Sequence, residues 1–192
     1  MSVLSEWKND GLLTAEQYLA FLETRPDDER WELIDGVAVM MNPPTYRHQN
    51  IERNILRLLE DALEHTRPEL TVVSGGGILV EGYPRFRPQP DIVVVDRDLD
   101  EISYADRFYL AAEILSQSNT PEFIALKVER YKQNPHNLYT FVVAQRELRV
   151  DVMSRANDWL SVVLSSPDDV LELPEFGFRC AVRELYRGTP LA

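Results

Sequence analysis

Apolar residues recur along this chain with two different periods, and each period predicts its own type of element. Between Tyr46 and Thr66 they return every three or four positions, which predicts one long helix with a single apolar face. That face carries Ile51, Ile55, Leu58, Leu59 and Leu63. Short apolar runs typical of strands lie at 70–73, 77–80, 92–95 and 109–115. A meander of further strands is predicted at 138–143, 148–153 and 159–164.

Capping and turn signals place the remaining elements. Thr14 followed by Gln17 forms a capping box, which predicts a short first helix. Asp35-Gly36 separates two short apolar runs and predicts a hairpin. A proline suits the first turn of a helix over 121–133, and a short helix is predicted over 182–186. This mixture predicts the α/β (α+β) class, with a central mixed β-sheet flanked by helices.

The composition is that of one ordinary globular domain. The 192 residues, 44% of them hydrophobic, can bury a core without covalent staples. A single cysteine, Cys180, allows no intramolecular disulfide, which suits a reducing compartment. Residues 1–10 lack the apolar segment of a signal peptide, and no apolar run approaches the roughly 18–20 residues that span a bilayer. We therefore expect a cytoplasmic protein that does not contact membranes.

The charge balance changes this picture. The formal net charge is −12, whereas proteins that bind nucleic acids usually carry a basic excess that neutralises phosphates. The acidity therefore counts against nucleic-acid binding. It does not exclude it, because salt screens the global field beyond about 8 Å. A basic cleft, a metal ion or a partner would also reverse the sign of the electrostatic potential locally.

Two carboxylates stand out against apolar surroundings. Asp91 directly precedes the apolar run 92–95, which is typical of a buried central strand. Glu113 interrupts a second apolar run, although glutamate is depleted in strands and is rarely buried without a partner. Two acids on neighbouring buried strands would raise each other's pKa, and a bound Mg²⁺ or Mn²⁺ would remove that conflict. The alternatives stay open: Asp91 as a turn or cap residue, and Glu113 paired with an arginine or lysine.

Lys127 is a candidate for the same site. It lies on the helix predicted over 121–133, one turn before Tyr131, so the two side chains share a face. A helix packed beside the strand would bring Lys127 to the acids, where it would orient a water or stabilise developing charge. An ordinary surface lysine is the competing interpretation.

Several short motifs together resemble a known family. They are Glu32 to Gly36, His48, Pro90-Asp91, Glu113 to Ser116, Lys127, Tyr131 and Tyr139. Their order and spacing resemble the Uma-type family, which is abundant in cyanobacteria and was formerly labelled a domain of unknown function. That family is assigned to the PD-(D/E)XK nuclease superfamily. The resemblance covers about residues 12–185 and implies one restriction-endonuclease-like domain over residues 1–192.

The resemblance implies an activity and a set of site residues. The activity is metal-dependent hydrolysis of phosphodiester bonds by an endonuclease, with DNA as the expected substrate and Mg²⁺ or Mn²⁺ as the cofactor. The superfamily's usual lysine lies two residues after the acid, where this chain has Leu115, so the lysine comes from the next helix. The implied catalytic residues are Asp91, Glu113 and Lys127, with Asp91 and Glu113 as metal ligands. The implied additional site residues are Glu32, His48 and Tyr131.

Departures from the family pattern support a second hypothesis. Residues 116–123 replace the Ser-Pro-Ser-Thr and charged stretch usual in the family, with Phe123 where an aspartate is expected, and residues 133–137 replace its usual small-residue turn. These changes and the net charge of −12 are compatible with a catalytically inactive nuclease-fold module that acts through protein binding or oligomerisation. A homodimer is compatible with either hypothesis.

Other features have simpler structural explanations. Gly75 to Gly77 lack the lysine and helix start of a phosphate-binding loop, so they predict a turn between strands. Arg85 and Arg87, with aromatic neighbours, could contact a nucleic-acid backbone, but a solvated loop is the simpler interpretation. Cys180 is predicted to be a small core residue. The three histidines lack the spacing of a zinc site.

Overall fold

The computed structural model describes residues 11–98, 101–116 and 120–192. Two expectations lie outside the described residues: the lack of a signal peptide at 1–10, and the part of the family departure that falls on 117–119. Within the described ranges the chain forms four α-helices and twelve strands. The helices are α1 (Ala15–Leu22), α2 (Tyr46–Thr66), α3 (Pro121–Gln133) and α4 (Val182–Leu185). In these ranges, no helix combines the length and apolarity needed to cross a bilayer.

A six-stranded mixed sheet forms the centre of the fold, in the order β10-β9-β8-β7-β5-β3. Its strands are β3 (Leu70–Ser74), β5 (Ile92–Asp96), β7 (Phe108–Ile114), β8 (Tyr139–Val143), β9 (Val150–Ser154) and β10 (Val162–Leu164). β7 and β8 run parallel, and every other neighbouring pair in this sheet is antiparallel. A parallel pair needs a crossover, and α3 supplies it, so α3 lies beside the strand that carries Glu113.

Short two-stranded elements surround the central sheet. They are the hairpin β1 (Trp31–Ile34) with β2 (Val37–Met40), the parallel pair β4 (Gly77–Ile78) with β6 (Tyr104–Ala105), and the hairpin β11 (Val170–Leu173) with β12 (Phe178–Ala181). A single bridge between Leu33 and Arg87 docks the β1–β2 hairpin against the segment before β5. The N-terminal part of the chain is thereby brought next to the central sheet.

Both faces of the central sheet are covered, which explains the uninterrupted apolar run in β5. Ile92 and Val94 pack into the cluster that includes the apolar face of α2, whereas Val93 and Val95 pack into the opposite cluster with Tyr131 of α3. Side chains alternate along a strand, so Glu113 of β7 shares the face of Ala111, which lies in the α3 cluster. The alternation therefore turns Glu113 toward α3 and the β1–β2 hairpin.

The α+β class and the element order expected from the sequence are confirmed, with two differences. The predicted strand at 77–80 is only two residues long, and a Cβ at Gly77 would lie 2.5 Å from the ring of Tyr104, so this close pairing needs a glycine. The sequence patterns contain no indication of β6 or of the β11–β12 hairpin. That hairpin packs against α2 and contributes Leu171, Leu173 and Cys180 to the core, and Cys180 is buried as predicted.

Candidate functional site

A cleft of about 440 Å³ lies where β5 begins and β7 ends. Asp91 directly precedes β5, and Glu113 is the penultimate residue of β7. Because Ile92 pairs with Ala112 in antiparallel register, the two acids lie side by side at this edge of the sheet. Both carboxylates line the cleft, together with His48 and Glu52 of α2.

Asp91 is fixed by contacts that come from two other elements. Its Oδ2 accepts a hydrogen bond of 2.6 Å from the backbone amide of Ile114, and its Oδ1 lies 3.2 Å from His48 Nε2. Its side chain is 19% exposed, so water and ligands in the cleft can reach it. The carboxylate therefore ties β5 to β7 and still faces the cleft.

Glu113 is almost fully buried, and one of its oxygens carries two contacts. Its Oε1 lies 2.8 Å from Lys127 Nζ and accepts a hydrogen bond of 2.6 Å from the Tyr131 hydroxyl. Burial raises the pKa of Glu113 to about 7, against the opposing effect of Lys127. Among residues 11–98, 101–116 and 120–192, no group donates a hydrogen bond to its other oxygen, Oε2. Glu113 thus has a carboxylate oxygen available at the wall of the cleft.

Lys127 is not a surface lysine. Its side chain is fully buried, and its Nζ lies 2.9 Å from Glu32 Oε1 and 2.8 Å from Glu113 Oε1. Burial alone would lower the pKa of Lys127, but the two carboxylates outweigh that effect and raise it. Lys127 is therefore an ammonium ion held between two acids.

Glu32 closes this buried network from the β1–β2 hairpin. It is fully buried, and its Oε1 also accepts a hydrogen bond of 2.6 Å from the backbone amide of Gln89. Two residues that lie 95 positions apart, Glu32 and Lys127, thus meet directly. We call Glu32, Glu113, Lys127 and Tyr131 the floor of the site.

On the solvent side, a second group of residues surrounds Asp91. His48 lies in the first turn of α2, where Thr45 caps the helix, and its Nε2 lies 3.8 Å from Glu52 Oε2 as well as near Asp91. Burial alone would lower the pKa of His48, but the hydrogen bond with Asp91 and the charge of Glu52 raise it. His48 Nδ1 is buried without a hydrogen-bond partner among the described residues. We call Asp91, His48 and Glu52 the mouth of the site.

The structure thus brings together all six site residues named from the sequence, and it adds others. Glu52 was missed, although its position four residues after His48 on one helix is a signal for a shared face. Phe123, noted only as a departure, lines the cleft with its ring 5.7 Å from Lys127 Nζ. An aromatic face attracts an ammonium group, so Phe123 contributes to the surroundings of Lys127 without an additional charge.

The remaining features considered in the sequence have structural roles, and most of them lie away from the cleft. The Tyr139 hydroxyl contacts Glu175, and its ring packs in the α2 cluster. Leu115 packs among apolar residues of α3 and the sheet. Of the basic-aromatic segment 83–87, Phe86 is fully buried and Arg87 stacks on Tyr104. Gly75 is part of the expected turn between strands, with its amide bonded to the carbonyl of Asp91, and it lines the cleft.

The donor set of the cleft suits a hard cation that retains water. Within the described part of the chain, no three His, Cys, Asp or Glu side chains form a complete metal site. Asp91 and Glu113 offer carboxylate oxygens, and Mg²⁺ is commonly bound through one or two carboxylates, waters and substrate phosphates. These residues fit an ion that is coordinated in part by its substrate.

Comparison with known proteins places this geometry in a family. The fold resembles a crystal structure described as "a putative nuclease belonging to DUF820 from Anabaena variabilis ATCC 29413", with a TM-score of 0.74 and 16% sequence identity. The match covers 91% of this chain and 97% of that chain. No curated protein matches the sequence. The model of the Uma2 family, described as "Putative restriction endonuclease", matches residues 15–183, and the chain therefore belongs to the Uma2 family.

Proposed function

We propose that this protein is a metal-dependent endonuclease that hydrolyses phosphodiester bonds in DNA, with Mg²⁺ or Mn²⁺ as its cofactor. The observation that carries the proposal is that Asp91 and Glu113 line one cleft while the buried Lys127 contacts Glu113 from behind. Restriction-endonuclease-like families generally use divalent metal ions, and the descriptions of the Uma2 family and of the structural neighbour both name a nuclease. Together these findings support phosphodiester hydrolysis over other chemistry at this site.

In the proposed site, Asp91 and Glu113 would hold the divalent ion. When bound, such an ion supplies Lewis-acid activation of water and neutralises phosphate charge. Asp91 is kept in orientation by the amide of Ile114, and Glu113 by Tyr131 and Lys127. Side chains that are already fixed in this way stabilise a transition state without further reorganisation.

Lys127 has a supporting electrostatic role in this proposal. Its ammonium group balances two buried carboxylates and opposes the rise in the pKa of Glu113 that burial causes. Lys127 therefore acts on the reaction mainly through Glu113. Glu32 in turn positions Lys127.

The carboxylates that line the cleft disfavour a phosphate substrate in the absence of a cation. Asp91, Glu52 and Glu113 bring three carboxylates to the cleft, and a phosphodiester would be repelled by them. A bound divalent ion would reverse the sign of the electrostatic potential in the cleft, as metal ions do in phosphate sites. The net charge of −12 is therefore compatible with a nucleic-acid substrate at this position.

The proposal is tested by cleavage and by metal binding. Purified protein is incubated with plasmid and with labelled oligonucleotides in Mg²⁺ or Mn²⁺, and ion binding is followed by calorimetry. We expect Asp91→Asn and Glu113→Gln each to lower the cleavage rate at least about 100-fold and to weaken ion binding. Glu172→Gln, which alters an exposed ion pair on β11, is the matched control and should behave like the wild type. Cleavage that survives both site substitutions would contradict the proposal.

The same titration decides the alternative of an inactive module. Glu113 is paired with a lysine, a contact that also occurs in purely structural ion pairs. If the folded wild type binds neither Mg²⁺ nor Mn²⁺, a role in protein binding or oligomerisation is favoured. A homodimer stays a prediction, and sedimentation of the same samples tests it.

A further inference from the structure

A second depression adjoins the cleft. It measures about 620 Å³ and is lined by residues of the first turn of α2 and of the segment after β8. Thr45 and Ser116 line both spaces, so the two are continuous. We call this depression the outer pocket. A polymeric substrate that reaches Asp91 and Glu113 can extend into it.

The outer pocket presents an unusually exposed aromatic ring. Tyr46, the first residue of α2, is 88% exposed, which is the largest exposure of any large apolar side chain among the described residues. Single exposed apolar residues are common on protein surfaces and need no explanation by themselves. Tyr46, however, lines a pocket that opens into the proposed catalytic cleft.

Arginines accompany the ring. Arg47 and Arg146 line the outer pocket beside Glu147, and Arg30 lines the far side of the cleft, with its guanidinium next to Gly75. Within the described residues, none of these three arginines forms an ion pair. In a chain with 32 acidic and 20 basic residues, three arginines that have no carboxylate partner in the described part of the chain lie along one continuous groove, where they are positioned to bind phosphates.

The outer pocket is fixed relative to the acids. Arg47 Nη1 donates a hydrogen bond of 3.1 Å to the carbonyl of Gln145, and the Thr45 hydroxyl donates one of 2.7 Å to the Gln145 side chain. Gln145 Nε2 donates in turn to the carbonyl of Leu115, two residues after Glu113. The start of α2 is thereby tied to the end of β7, and the backbone of Tyr46, between Thr45 and Arg47, is held beside the cleft.

We infer that the substrate of this site is single-stranded DNA, which runs from the cleft through the outer pocket with one base stacked on Tyr46. The inference rests on the proposed nuclease function and specifies its substrate. Stacking on a protein ring requires a base that is free of its own helix, and base–aromatic stacking with arginine contacts is the usual means of holding single strands. A duplex has a higher charge density and depends more on phosphate neutralisation, which three arginines in a chain of net charge −12 supply poorly.

Binding provides the test, measured with Ca²⁺ in place of Mg²⁺ or Mn²⁺ so that a divalent ion offsets the carboxylates of the cleft, and with a gel to verify that the DNA stays intact. The anisotropy of a labelled single-stranded DNA of about 12 nucleotides is compared with that of its duplex. We expect the single strand to bind at least about tenfold more tightly. Tyr46→Ala should weaken single-strand binding about tenfold, whereas Tyr46→Phe should retain it because the ring is kept. Arg146→Gln should weaken binding and reduce its dependence on salt.

Leu160→Ala is the matched control, since it removes an exposed apolar side chain that lines a different depression. It should leave binding unchanged, and circular dichroism verifies the fold of each variant. The inference is overturned if duplex binds as tightly as single strand, or if Tyr46→Ala behaves like Leu160→Ala. It is also overturned if RNA of the same sequence binds more tightly than DNA, or if no nucleic acid binds.

The outcomes separate this inference from the proposed function. If single-stranded DNA binds through Tyr46 but metal binding and cleavage are absent, the nuclease proposal fails and the binding groove stands. If duplex is cleaved as fast as single strand, and Tyr46→Ala does not weaken binding, the inference of a single-strand groove fails and the nuclease proposal stands.

Discussion

The floor and the mouth of the site hold similar charged groups in different ways. In the floor, Lys127 is fully buried between Glu32 and Glu113, and its Nζ lies within 3 Å of one oxygen of each carboxylate. In the mouth, Asp91 is 19% exposed and its histidine lies 3.2 Å away, with Glu52 at 3.8 Å from that histidine. The floor is a closed ion network, whereas the mouth is open to the cleft.

This difference indicates a division of labour. Removing one partner of a buried ion network leaves an uncompensated charge and is strongly destabilising, while exposed pairs contribute little to stability. The residues of the floor therefore hold Glu113 in place, but substituting any one of them should destabilise the protein. The mouth keeps its carboxylate accessible to a ligand.

The largest expected effect comes from Lys127→Met. This change leaves Glu32 and Glu113 buried without their shared cation and should lower the free energy of unfolding by about 3–5 kcal/mol. Urea denaturation at pH 7 measures it. Lys132→Met, which removes a pair with the exposed Glu129 on the same helix, is the control and should cost about 1 kcal/mol or less. Equal losses in both variants would contradict the interpretation of the floor as a buried ion network that tolerates no missing partner.

A change of pH is expected to have a somewhat smaller effect on the free energy of unfolding. Burial raises the pKa of Glu113 from 4.5 to about 7, so between these pH values the folded state binds more protons than the unfolded state. The wild type should therefore lose stability as pH rises through this window, relative to Glu113→Gln, which has no proton to lose. Between pH 4.5 and 7, the free energy of unfolding of the wild type should fall by about 3 kcal/mol relative to that of Glu113→Gln. Urea denaturation across this pH range measures the change. If the free energies of unfolding of the two proteins change with pH in parallel, burial does not raise the pKa of Glu113.

The smallest expected effect is a change in the pKa of His48, in the mouth of the site. The pKa of His48 is raised by Asp91 against the lowering effect of burial, so Asp91→Asn should lower it. The His48 contribution to stability is present below its ordinary pKa of 6.5 and is lost as pH rises through its folded pKa. Nuclear magnetic resonance titration of the imidazole measures the shift. Asp151→Asn, which alters a pair with Arg149 outside the cleft, serves as the control, and an equal shift there would exclude a specific effect of Asp91.

Local patterns were sufficient for most of the elements. The helix bounds of α2 and α3 follow from apolar periodicity and from a proline in the first turn, and the β1–β2 hairpin follows from Asp35-Gly36. The capping box at Thr14 is present as expected. The β11–β12 hairpin was not predicted, because its turn at Gly177 carries no two-residue hairpin signal and its strands alternate over only four residues.

The sequence by itself determined that Glu113 and Asp91 are unusual, since a carboxylate beside an apolar strand needs compensation whatever the fold. It could not determine what compensates them. Only the tertiary structure decided that Lys127 is buried, that Glu32 is its second partner, and that Tyr46 and its neighbouring arginines lie along the groove beside the acids. The reason is physical: capping and periodicity act within a few residues. Ion pairs across 95 positions depend on how α3, the β1–β2 hairpin and the central sheet pack together.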